Sequence, residues 1–167
     1  MDHSGALGDS FGWVVGGFNS DPADVIGLSG TATYTGVGGV SVYAQDSSFW
    51  TRAHGGAVLN LDFDTMNIDG HIDLIDCGCG TEGFAIADTT MTLNSTDITG
   101  NVFSGTASIN AADFGLSGIG TISADGMFYE SGANAVGGDI SGVATATPEN
   151  GGVTVFLNGA FLADDAL

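Results

Sequence analysis

The chain has 167 residues, of which 20 are acidic, one is basic and 29 are glycine, so its formal net charge at pH 7 is −19. This length suits a single domain with a substantial core. The near absence of cations excludes nucleic acid and anionic membranes as partners, because nothing would neutralise the phosphate groups. Glycine, with Val, Ile, Phe and Thr in short runs, favours an all-β fold over disorder.

Period-two alternation of apolar and polar residues recurs along the chain, and no window has sustained helical periodicity. The predicted strands are residues 11–17, 28–36, 39–45, 56–64, 67–76, 84–93, 101–109, 115–130, 134–146 and 152–163. Short turns rich in Gly, Asn, Asp and Ser join them. We therefore predict an antiparallel up-and-down β-barrel of about eight strands, because closure removes exposed sheet edges. We expect residues 1–27 to pack on or beside a barrel formed by residues 28–167.

Trp50 and His54 lie in a predicted loop before the strand at 56–64. A haem iron needs an axial ligand such as histidine beside an apolar slot, and Tyr43, Phe49 and Trp50 could build one. Trp50 and His54 are therefore candidate ligand-binding residues. The simpler interpretation is an exposed loop histidine near a half-buried tryptophan.

Residues 56–76 form a predicted hairpin with strictly alternating side chains. With a two-residue turn at Thr65-Met66, Asp62 would oppose Asp69 and Asn60 would oppose His71. One face then holds Leu59, Leu61, Phe63, Ile68, Ile72 and Leu74, and the other holds Asn60, Asp62, Asp64, Asp69, His71 and Asp73. The hairpin predicts an apolar interior and an acidic exterior. We predict no membrane insertion, because the reverse arrangement would enclose the acids with one cation to pair them.

Asp62, Asp69, His71 and Asp73 would converge on the acidic face and are candidate metal ligands. Calcium usually takes about six to eight oxygen ligands from a curved loop, and a flat sheet face supplies few. The sequence also lacks the EF-hand loop pattern. A solvated acidic face is the simpler interpretation, so we predict no required cofactor, with calcium and haem as the alternatives.

Cys77 and Cys79 are separated by a single residue. This spacing lacks the second pair that a zinc ribbon needs, and it is not the C-x-x-C pattern of redox proteins. A local disulfide and two free thiols both fit such a loop.

One segment of the chain carries a specific family resemblance. Residues 126–142, GMFYESGANAVGGDISG, join a strand that ends in glycine, a bulky residue and an aromatic to a glycine-containing turn and an Ala-Val-Gly strand. This pattern resembles the lipoprotein barrel domains of transferrin-binding protein B and factor H-binding protein. The segments LSGTATYTG (28–36), GGAVLNLDFDTMNIDGHIDL (55–74) and GGVTVFLNGAF (151–161) agree in the same order.

The resemblance covers roughly residues 27–163 and implies the barrel fold. We expect Phe128 or Tyr129 to plug the barrel and Gly132 and Asn134 to supply the turn conformations. The chain departs from the family by lacking lysine and by having Glu130-Ser131 where relatives often have Gly-Pro or Gly-Gly. Because binding loops differ freely between members, the partner's identity does not carry over.

The function predicted from these features is that of a non-enzymatic binding module. No arrangement of histidine, acid and serine indicates catalysis. We predict a bacterial cell-surface or secreted protein, located outside the cell or on the outer membrane, with a protein partner or self-association. The alternatives are a structural subunit of an extracellular assembly, such as a filament, surface layer or virus particle, and a haem-capture protein.

Overall fold

A computed structural model of the protein describes residues 15–44, 50–80 and 87–165. A short helix, α1 (Pro22–Ile26), precedes the strands, and 3-10 turns lie at Ala111–Phe114 and Pro148–Asn150. The strands are β1 (Thr31–Ala44), β2 (Trp50–Asp62), β3 (Asn67–Asp76), β4 (Thr89–Thr99), β5 (Val102–Ser108), β6 (Leu116–Tyr129), β7 (Ala135–Ala146) and β8 (Thr154–Asp165). No helix in these three ranges is long and apolar enough to cross a membrane.

The strands form a closed antiparallel barrel in which each strand pairs with the next and β8 pairs with β1. The closing pair is long, running from Tyr34 opposite Asp165 to Ala44 opposite Val155. The prediction of an all-β up-and-down barrel of about eight strands is confirmed. Its interior is apolar, and the acidic side chains of the described strands lie on the outside or at the strand ends.

The first strand differs from the prediction, because the segments 28–36 and 39–45 belong to one continuous strand, β1. The glycines near the junction of these segments suggested a turn, but Gly36 instead permits close packing of two strands. A Cβ atom on Gly36 would lie 2.0 Å from the carbonyl oxygen of Leu162 on the neighbouring strand. Glycine therefore marks a close approach of two backbones here, which is one of its recognised roles within sheets.

The largest remaining differences in strand limits concern three other predicted strands. Strand β2 begins at Trp50, so the predicted loop before residue 56 is part of the barrel. Strand β4 continues to Thr99, through polar residues that suggested a turn, and its pairing with β5 shifts register between Leu93 and Ile98. The beginning of the predicted strand 84–93 and most of 11–17 lie outside the described residues, and residues 15–17 are not in a strand.

The hairpin of β2 and β3 confirms the predicted faces but corrects the predicted register. The six apolar residues predicted to be buried are each at most 7% exposed: Leu59, Leu61, Phe63, Ile68, Ile72 and Leu74. Asp62 opposes Asn67 rather than Asp69, and Asn60 opposes Asp69 rather than His71. The partner of Asp62 thus moves by two residues, which leaves every side chain on its predicted face.

A longer turn accounts for this register. The turn spans 63–66 rather than two residues, and Met66 takes a left-handed conformation with φ 52°. The side-chain Oδ1 of Asp62 accepts hydrogen bonds from the backbone N–H groups of Asp64 and Thr65, each at 3.0 Å. The Phe63 N–H donates to the Gly30 carbonyl at 2.9 Å instead of continuing the ladder.

Aromatic side chains fill the end of the barrel near the β6–β7 turn. Phe128 is fully buried, with its ring centroid 6.4 Å from that of Tyr34 and 6.3 Å from that of Phe63. The prediction that Phe128 or Tyr129 plugs the barrel is therefore confirmed for Phe128. The Tyr34 hydroxyl donates a hydrogen bond to the carbonyl oxygen of Ala133, which ties the turn to the cluster.

The backbone of the β6–β7 turn agrees with the prediction at Gly132 and differs at Asn134. Gly132 has φ 78°, and the other positive φ angles in the turn belong to Glu130 and Ala133. Ala133 is fully buried beneath the turn. Its position is set by the Tyr34 hydrogen bond, a long-range contact that turn propensities do not include.

Alkaline pH tests the contribution of the aromatic end to stability. Burial, reinforced by the negative charge of Asp165, raises the pKa of Tyr34 from 10.0 to about 12. The native state therefore holds this proton more tightly than the unfolded state. The resulting stabilisation is complete below pH 10 and is lost as the pH rises towards 12.

The sequence makes this a clean experiment, because it has no lysine and both cysteines are in a disulfide, so tyrosines are the side chains that titrate in this range. We expect the melting temperature to fall between about pH 10 and 12, and we expect Tyr34→Phe to reduce that fall. At neutral pH this variant loses a hydrogen bond worth about 1 kcal/mol. Tyr43→Phe is the control. An equally steep fall in Tyr34→Phe would contradict the account.

Candidate functional site

Outward-facing side chains from four strands form a continuous apolar line on the barrel's exterior, which we call the aromatic row. Val143 opposes Phe156, Phe156 opposes Tyr43, and Tyr43 opposes Trp50. The rings of Tyr43 and Phe156 stack with centroids 5.6 Å apart. The guanidinium carbon of Arg52, the chain's one basic residue, lies 5.5 Å from the centre of the Trp50 ring.

The aromatic row is accessible from solvent. Val143 is 48% exposed, and the other members are half-buried. A shallow cavity of about 390 Å³ lies beside Tyr43, Val143 and Phe156, and its other walls include Ser141 and Asn158. Aromatic and arginine side chains are enriched at protein interfaces, where they supply much of the binding energy. The row is therefore a candidate protein-binding surface.

A second line of outward positions, the apolar row, crosses six strands. Its members are Val102, Met127, Gly137, Leu162, Val37 and Gly56, in which each residue opposes the next. Val37 is 67% exposed and Leu162 is 37% exposed. An apolar groove of about 450 Å³ lies beside Val37 and Leu162 of this row, and Val15 and His54 also line it.

The two candidate ligand-binding residues lie on the same strand but in different places. His54 is an exposed residue of β2, so the prediction that it lies in a loop is wrong. Gly55 suggested a turn, yet it lies within β2. The backbone of β3 comes so close to it that a Cβ on Gly55 would be 1.8 Å from the Asp73 carbonyl oxygen. His54 lines the apolar groove, whereas Trp50 belongs to the aromatic row. Phe49 lies outside the described residues.

The candidate metal ligands face hydrogen-bond donors. Asn60 Nδ2 donates to Asp69 Oδ1 at 3.1 Å, and the Thr90 hydroxyl donates to Asp73 Oδ1 at 2.8 Å. Hydrogen bonds from the backbone and side chain of Thr65 lower the pKa of Asp62, and the Asp64 backbone N–H makes a smaller contribution in the same direction. His71 opposes Val58 and Thr92. Within the described parts of the chain, no three His, Cys, Asp or Glu side chains form a group that could hold a metal ion.

The two cysteines form a disulfide immediately after β3. Cys77 and Cys79 have Cα atoms 5.2 Å apart, and the Gly78 N–H between them donates to Asp76 Oδ1 at 3.1 Å. Of the two alternatives left by the sequence, the structure therefore has the local disulfide.

The acidic exterior predicts a specific response to salt. Added salt should raise the melting temperature, because it screens repulsion between carboxylates that the fold brings together. We expect CaCl₂ and NaCl at matched ionic strength to have the same effect, since Asp62, Asp69 and Asp73 already accept hydrogen bonds from neighbouring groups. A thermal-shift series in both salts measures this. An additional effect of calcium that Asp62→Asn with Asp69→Asn removes would instead indicate a bridging site.

Comparison with known proteins gives a consistent result for the fold. A family model described as the C-lobe and N-lobe beta barrels of Tf-binding protein B matches residues 26–163. A search of curated proteins found no match.

Two of the similar solved structures illustrate the extent of the likeness. One is isotype 1 transferrin binding protein B from serogroup B Neisseria meningitidis, with TM-score 0.59 and 20% identity over 89% of this chain and 27% of that chain. Another is a mutant of the vaccine antigen transferrin binding protein B from Haemophilus parasuis Hp5, with TM-score 0.53 and 20% identity over 88% of this chain and 28% of that chain. The chain thus spans less than a third of the length of either structure.

Proposed function

The chain belongs to the family of the C-lobe and N-lobe beta barrels of Tf-binding protein B, and on this basis we propose that it is a non-enzymatic module that binds a protein partner. We place the module outside the cell, on the cell surface or secreted. The observation that carries the proposal is the aromatic row, an accessible line of Val143, Phe156, Tyr43 and Trp50 on an otherwise strongly acidic molecule.

The barrel's closure favours recognition through outward side chains. Each described strand pairs on both sides, so a partner cannot add a strand to a free sheet edge. It would contact the faces of strands or the connecting loops. The aromatic row provides such a face across β7, β8, β1 and β2, where four strands hold the side chains in fixed positions.

The residue types in the row suit a protein interface. Trp, Tyr and Arg are the commonest residues with large effects on binding, and Trp50, Tyr43 and Arg52 lie together here. The net charge of −19 would accelerate encounter with a basic partner and disfavour acidic ones. The partner we propose is therefore a protein with a basic surface around an apolar contact patch.

Affinity capture with matched variants tests the proposal. The immobilised chain is exposed to extracellular fluid from its native source, with transferrin as a defined probe because the similar solved proteins are named for binding it. We expect Tyr43→Ala with Trp50→Ala to weaken binding of the captured protein by at least about 30-fold, the loss typical of two large interface residues. Val102→Ala, which truncates an exposed valine on β5, should leave the affinity unchanged.

Retention of the captured protein by the double variant would contradict the role of the aromatic row. Size-exclusion chromatography and electron microscopy of native material separate this proposal from the structural-subunit alternative. A capture module should be monomeric, and a subunit of an assembly should be polymeric. Circular dichroism of each variant checks that a loss of binding does not reflect unfolding.

Haem capture is the second candidate, and one observation favours it. His54 lines an apolar groove of about 450 Å³, which provides the combination of an imidazole and an apolar wall that an axial ligand requires. Trp50 is not among the groove's lining residues. The candidate therefore rests on His54, Val37 and Leu162 rather than on the pair predicted from the sequence.

A further inference from the structure

The register of β6 and β7 puts two carboxylates side by side on the exterior of the barrel. Asp125 directly opposes Asp139, and both side chains point outwards, since their neighbours Ala124 and Ile140 are buried. Like charges in directly opposite positions destabilise a strand pair. In the other pairings of the described strands, each acidic residue opposes a neutral one. The barrel therefore concentrates negative charge here in a way that its other strand pairs avoid.

The two carboxylates line a cavity of about 490 Å³ over β5, β6 and β7, which we call the acidic cavity. Its apolar walls include Met127 and Val15. A mainly apolar cavity of this volume with a few polar groups is typical of sites for small molecules and single side chains. The apolar groove beside His54 shares Val15 and Ala160 with the acidic cavity but extends over β8, β1 and β2 instead.

Tyr129 contributes a hydroxyl group to the acidic cavity. Its side chain is 7% exposed, and the Gly17 backbone packs against its Cβ, Cγ and Cδ1 atoms. Burial, and after it the negative charge of Asp139, raises the pKa of Tyr129, so the hydroxyl end of the ring lies towards that carboxylate. Among the described residues, none forms a hydrogen bond with this hydroxyl. Polar groups on side chains this deeply buried normally have a partner, so the hydroxyl is available to a ligand in the cavity.

The two carboxylates also differ in their partners. The Ser104 hydroxyl donates a hydrogen bond to Asp125 Oδ1, which orients that carboxylate. Within the described parts of the chain, Asp139 receives no hydrogen bond. The cavity thus offers negative charge and hydrogen-bond acceptors and lacks a donor for Asp139.

A cation with N–H groups matches each of these features. It would reduce the repulsion between Asp125 and Asp139, donate hydrogen bonds to the carboxylates and the Tyr129 oxygen, and place an alkyl stem on Met127. We propose that the acidic cavity binds an ammonium or guanidinium group on a short alkyl chain, the chemistry shared by lysine and arginine side chains and by free alkylamines. The site lies on β5–β7 and does not depend on the aromatic row.

An NMR titration of the full chain with n-butylguanidinium chloride tests the proposal, because this probe has the cation and the stem of an arginine side chain. The titration is done in about 0.15 M NaCl, which screens long-range attraction to the acidic surface. We expect saturable shifts of the backbone amides of Gly126, Gly137 and Gly138, which line the cavity. Further NaCl in place of the probe should not produce these shifts.

A second titration distinguishes the two sources of such a cation. The probe is a blocked peptide that has one arginine between glycines. Saturable shifts of the same amides would assign the cavity to a side chain of a protein. A response to n-butylguanidinium alone would assign it to a free small molecule.

Matched variants separate the cavity from the general acidity of the chain. Asp139→Asn and Asp125→Asn should each weaken binding of n-butylguanidinium by about fivefold or more, because each removes a charged acceptor. Tyr129→Phe should weaken it less. Asp97→Asn removes one exposed carboxylate of β4, outside the cavity, and should leave the affinity unchanged.

Shifts that do not saturate, that spread evenly over the acidic exterior or that NaCl reproduces would overturn the proposal. Equal effects of Asp139→Asn and Asp97→Asn would overturn it too, because the net charge alone would then explain binding. Far-UV circular dichroism checks that each variant is folded. If one cavity variant fails to fold, the other tests the same prediction.

Discussion

The pairing of β1 with β8 is the interaction on which the rest of the structure depends. It converts eight consecutive strands into a closed barrel, so each described strand has hydrogen-bonded neighbours on both sides. Closure brings two backbones close together at Gly36, where a side chain would collide with the Leu162 carbonyl. The apolar interior, the plug formed by Phe128 and the lines of exterior side chains all follow from this closed register.

The closed register also determines the chemistry of the surface. The aromatic row and the apolar row are both made of residues that oppose one another on neighbouring strands, so each row exists only when the strands are correctly aligned. The acidic side chains around β2 and β3 face amides, hydroxyls and backbone N–H groups, as Asp69 does with Asn60. This arrangement lets a chain with a net charge of −19 fold with one basic residue.

The sequence predicts those features that depend on local alternation. The buried face of the 56–76 hairpin follows from the period of two. The predicted register is wrong by two residues, an even number, so each side chain still lies on its predicted face. The family resemblance found in residues 126–142 agrees with the fold and the family match. The expectation that residues 1–27 form a segment beside the barrel stays a prediction.

Other features depend on long-range contacts that no local pattern contains. Gly36 and Gly55 suggested turns, but each lies in a strand where the backbone of a neighbouring strand approaches, at the Leu162 carbonyl and the Asp73 carbonyl respectively. The aromatic row was missed for the same reason, since Tyr43 and Phe156 are far apart in the chain and meet only through the β1–β8 pairing. The alternation within each strand indicated which residues face outwards, but it did not specify the register between β1 and β8.

Native-state hydrogen exchange tests barrel closure most directly. If β1 and β8 pair as described, the amides of Gly39, Ser41, Asn158 and Ala160, which point across this pairing, should be protected as strongly as those in the middle of β3, because all would exchange only through large-scale unfolding. An open sheet would instead leave one side of β1 and one side of β8 unpaired. Rapid exchange of alternate amides along either strand, with protection retained in β3, would contradict the closed barrel.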